Sequence, residues 1–145
     1  LIMVDLPPEE DDELCDPART AGLHWIRLVT PTTNKDRLSD VLANSSGFVY
    51  YVSIAGITGT QSAAAASIEK AVQQIKSKSD LPVAVGFGIK TREQIKEIGN
   101  IAEGVVVGSV IVNEIEQNLD ANGQPKAGLV ESVISLVRSL ATDSI

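Results

Sequence analysis

Three short apolar runs in this chain stop on glycine, and each opens onto a segment that reads as a helix start. Tyr50-Tyr51-Val52-Ser53 leads towards Gly56 and Gly59, Val83-Ala84-Val85 into Gly86-Phe87-Gly88, and Val105-Val106-Val107 into Gly108-Ser109. A strand end stripped of side chains and set against a helix N-terminus offers backbone N–H groups, and the positive end of a helix dipole, to an anion. One such glycine is only a turn residue. Three in succession, with Ser109 placed to cap a helix and offer a hydroxyl, point to a phosphate ester held along one rim of a sheet.

Residues 1–4, 25–29, 48–52, 82–85 and 104–107 are nearly continuous in apolar side chains, as parallel strands covered on both faces are. Between them stand helical signals. Pro7-Pro8 precedes an acidic run at 9–13, read as a solvated helix start that complements the dipole. Leu38, Val41 and Leu42 mark a second helix, and Ile68, Ala71, Val72 and Ile75 form the buried stripe of a third, predicted over 62–77. Thr91-Arg92-Glu93-Gln94 has the form of a capping box, and Val130, Val133, Ile134 and Val137 repeat the buried stripe over 128–140. A short extra helix at 110–118 follows Gly108-Ser109, and Asn122-Gly123 with Pro125 marks a turn.

Strands alternating with helices at intervals of roughly 20–30 residues imply βαβ units, right-handed crossovers and an α/β fold with a parallel sheet. Five βα units are legible, with no linker, so residues 1–145 are expected to form a single domain. Two architectures compete. A doubly wound open sheet binds its ligand at one switch point. A (β/α)8 TIM barrel binds phosphate on the loops after its last strands, often against a short extra helix, which matches Gly86-Phe87-Gly88, Gly108-Ser109 and the helix at 110–118. A complete barrel runs to about 250 residues. The chain opens on Leu1 inside a strand, and the expectation is an incomplete barrel, its C-terminal five-eighths. Such a piece would carry unpaired strand edges and be unstable alone or self-associating.

Composition removes other classes. A formal charge of −7 with scattered Lys and Arg argues against a nucleic-acid partner, and no apolar run approaches the roughly 18 residues of a membrane span. A single cysteine, Cys15, rules out an internal disulfide and suits a reducing compartment, so a cytoplasmic location is expected. No Cys/His cluster has metal spacing, so no metal site is expected. Gly86-Phe87-Gly88 is not a dinucleotide fingerprint, because Thr91 stands where a third glycine belongs, and no Gly-Lys-Ser/Thr of a P-loop occurs. His24 and Cys15 read as structural. Tyr50 shares a strand face with Val52 and is either a core tyrosine or a pocket residue, while Phe87 between two glycines could wall a ligand pocket. Thr58 is either a turn hydroxyl or a donor to a catalytic group, and Asp5 ends the first strand on the functional side.

The strings Val4-Asp5-Leu6-Pro7-Pro8-Glu9-Glu10, 50–60, Val85-Gly86-Phe87-Gly88-Ile89 and Gly108-Ser109-Val110-Ile111-Val112, in this order, closely resemble the tryptophan synthase alpha chain family. That resemblance implies a barrel enzyme, a lyase of tryptophan biosynthesis, which cleaves indole-3-glycerol phosphate by a retro-aldol step to indole and glyceraldehyde 3-phosphate. It also implies a partner, the beta chain in an alpha2beta2 assembly, which carries pyridoxal phosphate; no cofactor is expected in this chain. Carried over by motif, Gly59, Gly88, Gly108 and Ser109 would hold the substrate phosphate. Tyr50, Phe87 and Ile2 would line the indole pocket, with Val4 and Val29 as weaker candidates. Thr58 would orient the family's catalytic aspartate, and Asp5 with Pro7 would lie near the beta-chain interface. Some members have an arginine where Ile54 stands, so a loop ion pair made there is missing. The family's catalytic glutamate and aspartate come from early strands and would precede Leu1, so the chain is expected to carry part of a substrate site without the acid–base pair that the cleavage needs. Two alternatives stand beside it: a non-catalytic anion-binding α/β domain, flavodoxin-like or half-barrel, and another phosphate-binding barrel enzyme of the phosphoribosyl isomerase type.

Overall fold

The structure, a computed structural model, describes residues 1–53, 61–86 and 88–141. Four parallel strands, β1 (Arg27–Val29), β2 (Val49–Val52), β3 (Val83–Gly86) and β4 (Gly104–Val106), lie side by side in chain order. Among the described residues six helices accompany them: α1 (Asp11–Thr20), α2 (Lys35–Leu42), α3 (Gln61–Lys76), α4 (Arg92–Gly99), α5 (Ser109–Gln117) and α6 (Leu129–Leu140). A 3-10 turn, Pro8–Glu10, leads into α1.

The strand order decides between the two architectures. A doubly wound sheet reverses direction at its switch point and wears helices on both faces. Here each strand pairs with the next in sequence, and right-handed crossovers then place every connecting helix on one side. Register shows the result. Val29, Tyr51 and Val85 form one row and Val49 and Val83 another, all buried against Leu38 and Leu42 of α2, Ile68, Val72 and Ile75 of α3, and Ile98 of α4. The alternate row, Leu28, Tyr50, Ala84 and Gly104, faces the other way and is only half-buried. This is a segment of a barrel wall: helices outside, pocket side within.

Residues 1–4 do not form a full strand; they make one parallel bridge, Ile2 to Ile26, and all four side chains are exposed. The stripe on α6 is not sealed either, since Val130, Ile134 and Val137 are each more than 40% exposed and Leu140 alone is buried. Helix α6 packs on α4 and α5, and no described element covers its other flank, because a four-stranded sheet does not close on itself. The capping box is present as read: Thr91 Oγ1 accepts from Gln94 N at 3.3 Å, and Gln94 Oε1 accepts from Thr91 N at 3.1 Å.

The acidic run departs from a solvated helix start at one residue. Asp11 is buried and ion-paired with Arg27, which is buried on the helix-facing side of β1. Arg27 Nη1 also donates to the Leu6 carbonyl at 3.0 Å, its guanidinium lies 5.5 Å from the Trp25 ring centroid, and Asn44 Nδ2 donates to Asp11 at 2.8 Å. The cluster joins α1 to the foot of β1 over buried Cys15, Ala18 and Trp25. Burial opposes ionisation of Asp11, yet the hydrogen bonds from Arg27 and Asn44 outweigh it and hold its carboxyl below the ordinary value. On the surface, the hydrogen bond from Arg37 draws Glu9 down to about 2.

Asp11→Ala strands the buried Arg27 charge, so unfolding free energy by urea titration should fall by about 3–5 kcal/mol. Glu9→Gln, on an exposed pair, should change it by less than about 1 kcal/mol. Both carboxyls titrate lower folded than unfolded, so their contribution is complete above about pH 4.5 and is lost as pH falls towards 2. The urea midpoint should drop across that interval, and more shallowly in the double variant; an equal drop would remove these two groups as its cause.

Candidate functional site

The C-terminal ends of the strands form one rim. Gly86 of β3 is in register with Val106 of β4, so Gly88 and Gly108 each stand two residues beyond a paired position on strands about 4.8 Å apart. Gly88 has φ 77°, a left-handed conformation that favours glycine and turns the loop sharply away from the strand. Gly108 is the residue before α5, and a Cβ built on it would meet nothing within 4 Å. Packing does not demand a glycine there. A side chain would instead project into open space beside the helix end.

The helices that begin at this rim differ in their first turns. Helix α4 is closed by its own side chains, with Gln94 Oε1 accepting from Lys90 N at 2.8 Å as well as from Thr91 N. At α5 no side chain caps the first turn, and its amides from Ile111 onward return to the Gly108 carbonyl at 2.9 and 3.1 Å. Among the described residues the N–H groups of Ser109 and Val110 have no acceptor, and Ser109 itself is exposed at this helix end. A tetrahedral anion here would accept from backbone donors lying along the helix dipole.

Tyr50 occupies the inward row one layer below the rim, and its ring lies over the Gly86 α-carbon. A Cβ on Gly86 would come within 2.6 Å of Tyr50 Cε2 and 2.8 Å of Cζ. Gly86 was legible as part of a loop, but its task as the seat for Tyr50 needed the strand register. Ser53 carries no signal of its role in the local sequence. It is 1% exposed, and both its N–H (2.9 Å) and its hydroxyl (3.1 Å) donate to the Gly86 carbonyl, pinning the top of β2 to the top of β3.

Of the remaining expected residues, Thr58, Gly59 and Phe87, with Ile54, lie outside the described residues. Ile2 is on the inward face through its pairing with Ile26, but it stands one layer below Tyr50 and two strands away. Val4 is 73% exposed, and Val29 points to the helix side with the core. Asp5 and Pro7 are exposed on the loop after the Ile2 bridge, and the intervening Leu6 carbonyl is held by Arg27. His24 is exposed at the foot of β1, beside Gly47. Among the described residues no group of three or more His, Cys, Asp or Glu could hold a metal ion, and no helix is long and apolar enough to cross a membrane.

The profile of the family described as tryptophan synthase alpha chain matches residues 1–140. The chain belongs to that family. Among solved structures it is similar to the tryptophan synthase alpha subunit of Campylobacter jejuni, with 30% identity and a TM-score of 0.83 over 97% of this chain and 53% of that one. The alpha chain of Legionella pneumophila is 36% identical with a TM-score of 0.75, covering 96% of this chain and 49% of that chain. A tryptophan synthase chain of Mycobacterium tuberculosis gives 34% and 0.77, over 97% and 49%. The chain thus spans about half the length of the alpha chains it matches, and its open sheet is part of their TIM barrel.

If the Tyr50 ring owes its place to a missing side chain, Gly86→Ala should displace it at a cost of about 1 kcal/mol. In a Tyr50→Ala background the same change should cost nearly nothing. A double-mutant cycle by urea unfolding measures the coupling, and strict additivity would mean the two residues do not constrain each other.

Proposed function

We propose that the chain supplies the phosphate-binding part of a tryptophan synthase alpha site, for a lyase that cleaves indole-3-glycerol phosphate to indole and glyceraldehyde 3-phosphate. The observation that carries this reading is the uncapped first turn of α5 at Gly108-Ser109, level with the left-handed Gly88 on the neighbouring strand. Backbone amides and the Ser109 hydroxyl hold the phosphate. Gly59 completes the cradle, Tyr50 and Phe87 wall the indole ring with Ile2 deeper on the inward face, and Thr58 orients a catalytic aspartate. Residues 1–145 form a single domain, the C-terminal part of the barrel. The acid–base carboxylates of the retro-aldol step lie outside it, so these residues alone release no indole. Asp5 and Pro7 face a beta chain that carries pyridoxal phosphate in an alpha2beta2 assembly, in the cytoplasm.

An indole phosphate ester lacking the cleavable hydroxyls, titrated calorimetrically, should bind, and Ser109→Ala should weaken it about three- to tenfold by removing one hydrogen bond to a charged group. Thr91→Ala, which opens the cap of a different helix, should leave affinity unchanged. Tighter binding of a phosphoribosyl ester, or an unaltered affinity in Ser109→Ala, would reject the assignment. Indole release above a buffer control from the 145-residue chain would reject the claim of inactivity.

A further inference from the structure

On the helix side of the sheet, the face opposite the inward row, a cleft of ≈ 220 Å³ opens between α2, α3 and the ends of β1 and β2. Its floor is core: Val29, Leu38 and Ile75. An engineered apolar cavity of about 150 Å³ holds benzene, so this space admits one aromatic ring with a small substituent. Tyr51 forms part of the wall. It is 3% exposed, no hydrogen bond joins its hydroxyl to any described residue, and that oxygen is not among the fully buried polar atoms, so the hydroxyl keeps contact with solvent. A phenol whose hydroxyl meets solvent in the wall of a cleft can donate to a ligand there, and burial of the ring raises the Tyr51 pKa, keeping the proton available for donation.

The mouth is shaped by one face of α3. Lys70 and Gln74, four residues apart, both line the cleft, so an ammonium and an amide stand one above the other. Lys70 is the sole charged residue among those lining it. A single cation at the mouth, a phenol donor in the wall and an apolar floor are complementary to a monoanion with a flat apolar body.

We propose that this cleft is an accessory binding site for a small aromatic monocarboxylate, its ring on the Val29–Leu38–Ile75 floor and its carboxylate between Lys70, Gln74 and the Tyr51 hydroxyl. The proposal does not depend on the phosphate reading, since these residues lie on the helix side of the sheet and none of them is a residue of the phosphate cradle. Its ligand differs in chemistry too: a phosphate dianion would find one cation here and no helix N-terminus.

Benzoate titrated into the full chain and followed by ¹H–¹⁵N NMR tests it, with benzyl alcohol and benzylamine as neutral and cationic comparators. Saturable shifts should centre on Lys70, Gln74 and Tyr51. Lys70→Met should weaken benzoate about tenfold and leave benzyl alcohol unchanged, Lys70→Arg should restore most of the loss, and Tyr51→Phe should weaken benzoate about threefold. Absence of saturable benzoate binding, equal binding of benzylamine, unchanged affinity in both Lys70→Met and Tyr51→Phe, or shifts centred on Tyr50 and Gly108 would each overturn the assignment. The Ser109→Ala variant, which probes the rim, should bind benzoate as the parent does.

Discussion

Each strand of this sheet is hydrogen-bonded to the next in the chain, and that sequential parallel pairing constrains everything else. With right-handed crossovers it sends all the connecting helices to one face. Strand alternation then sorts side chains into two populations. Val49, Tyr51, Val83 and Val85 go beneath the helices, where loss of water-exposed apolar area stabilises the fold; Tyr50, Ala84 and Gly104 go to the side without helices. Without this segregation the inward row would be core, and no wall would remain to shape a pocket.

The two ends of the sheet are treated differently. At the foot, polar groups are tied down: Arg27 to Asp11 and the Leu6 carbonyl, and Glu103 to Lys76 and, through Oε2 at 2.9 Å, to Val83 N. At the top, side chains are withdrawn. Gly86 gives room to Tyr50, Gly88 turns the chain, and Gly108 leaves the first amides of α5 uncovered. Stability at one face and ligand contacts at the other is the usual division of labour in barrels of this class. Ser53 fixes the spacing of two of these strand ends, its buried hydroxyl and N–H both donating to the Gly86 carbonyl.

Much of this was legible because the signals are local. A capping box needs four consecutive residues, and Thr91 to Gln94 supply them; a buried helix stripe needs a period, and Ile68, Val72 and Ile75 have it. Features whose cause lies far along the chain leave no such local mark. Asp11 sat in an acidic run that reads as solvated, and only its pairing with Arg27, sixteen residues later, takes it out of water. The stripe on α6 has the right period but no described element lies over its outer flank, so amphipathicity did not imply burial. Nothing local distinguishes Tyr51 from its strand neighbours; the register sends it to the helix side, where it lines a cleft.

By itself the sequence determined the alternation of strands and helices, the bare strand ends and the family, since each is written in contiguous residues. Only the tertiary structure decided that the sheet is a piece of barrel wall, that among the described residues the first turn of α5 lacks the side-chain cap that closes α4, and which face each tyrosine takes. Those outcomes depend on strand order, register and the satisfaction of hydrogen bonds between distant groups, and none of these is a property of any short stretch of chain.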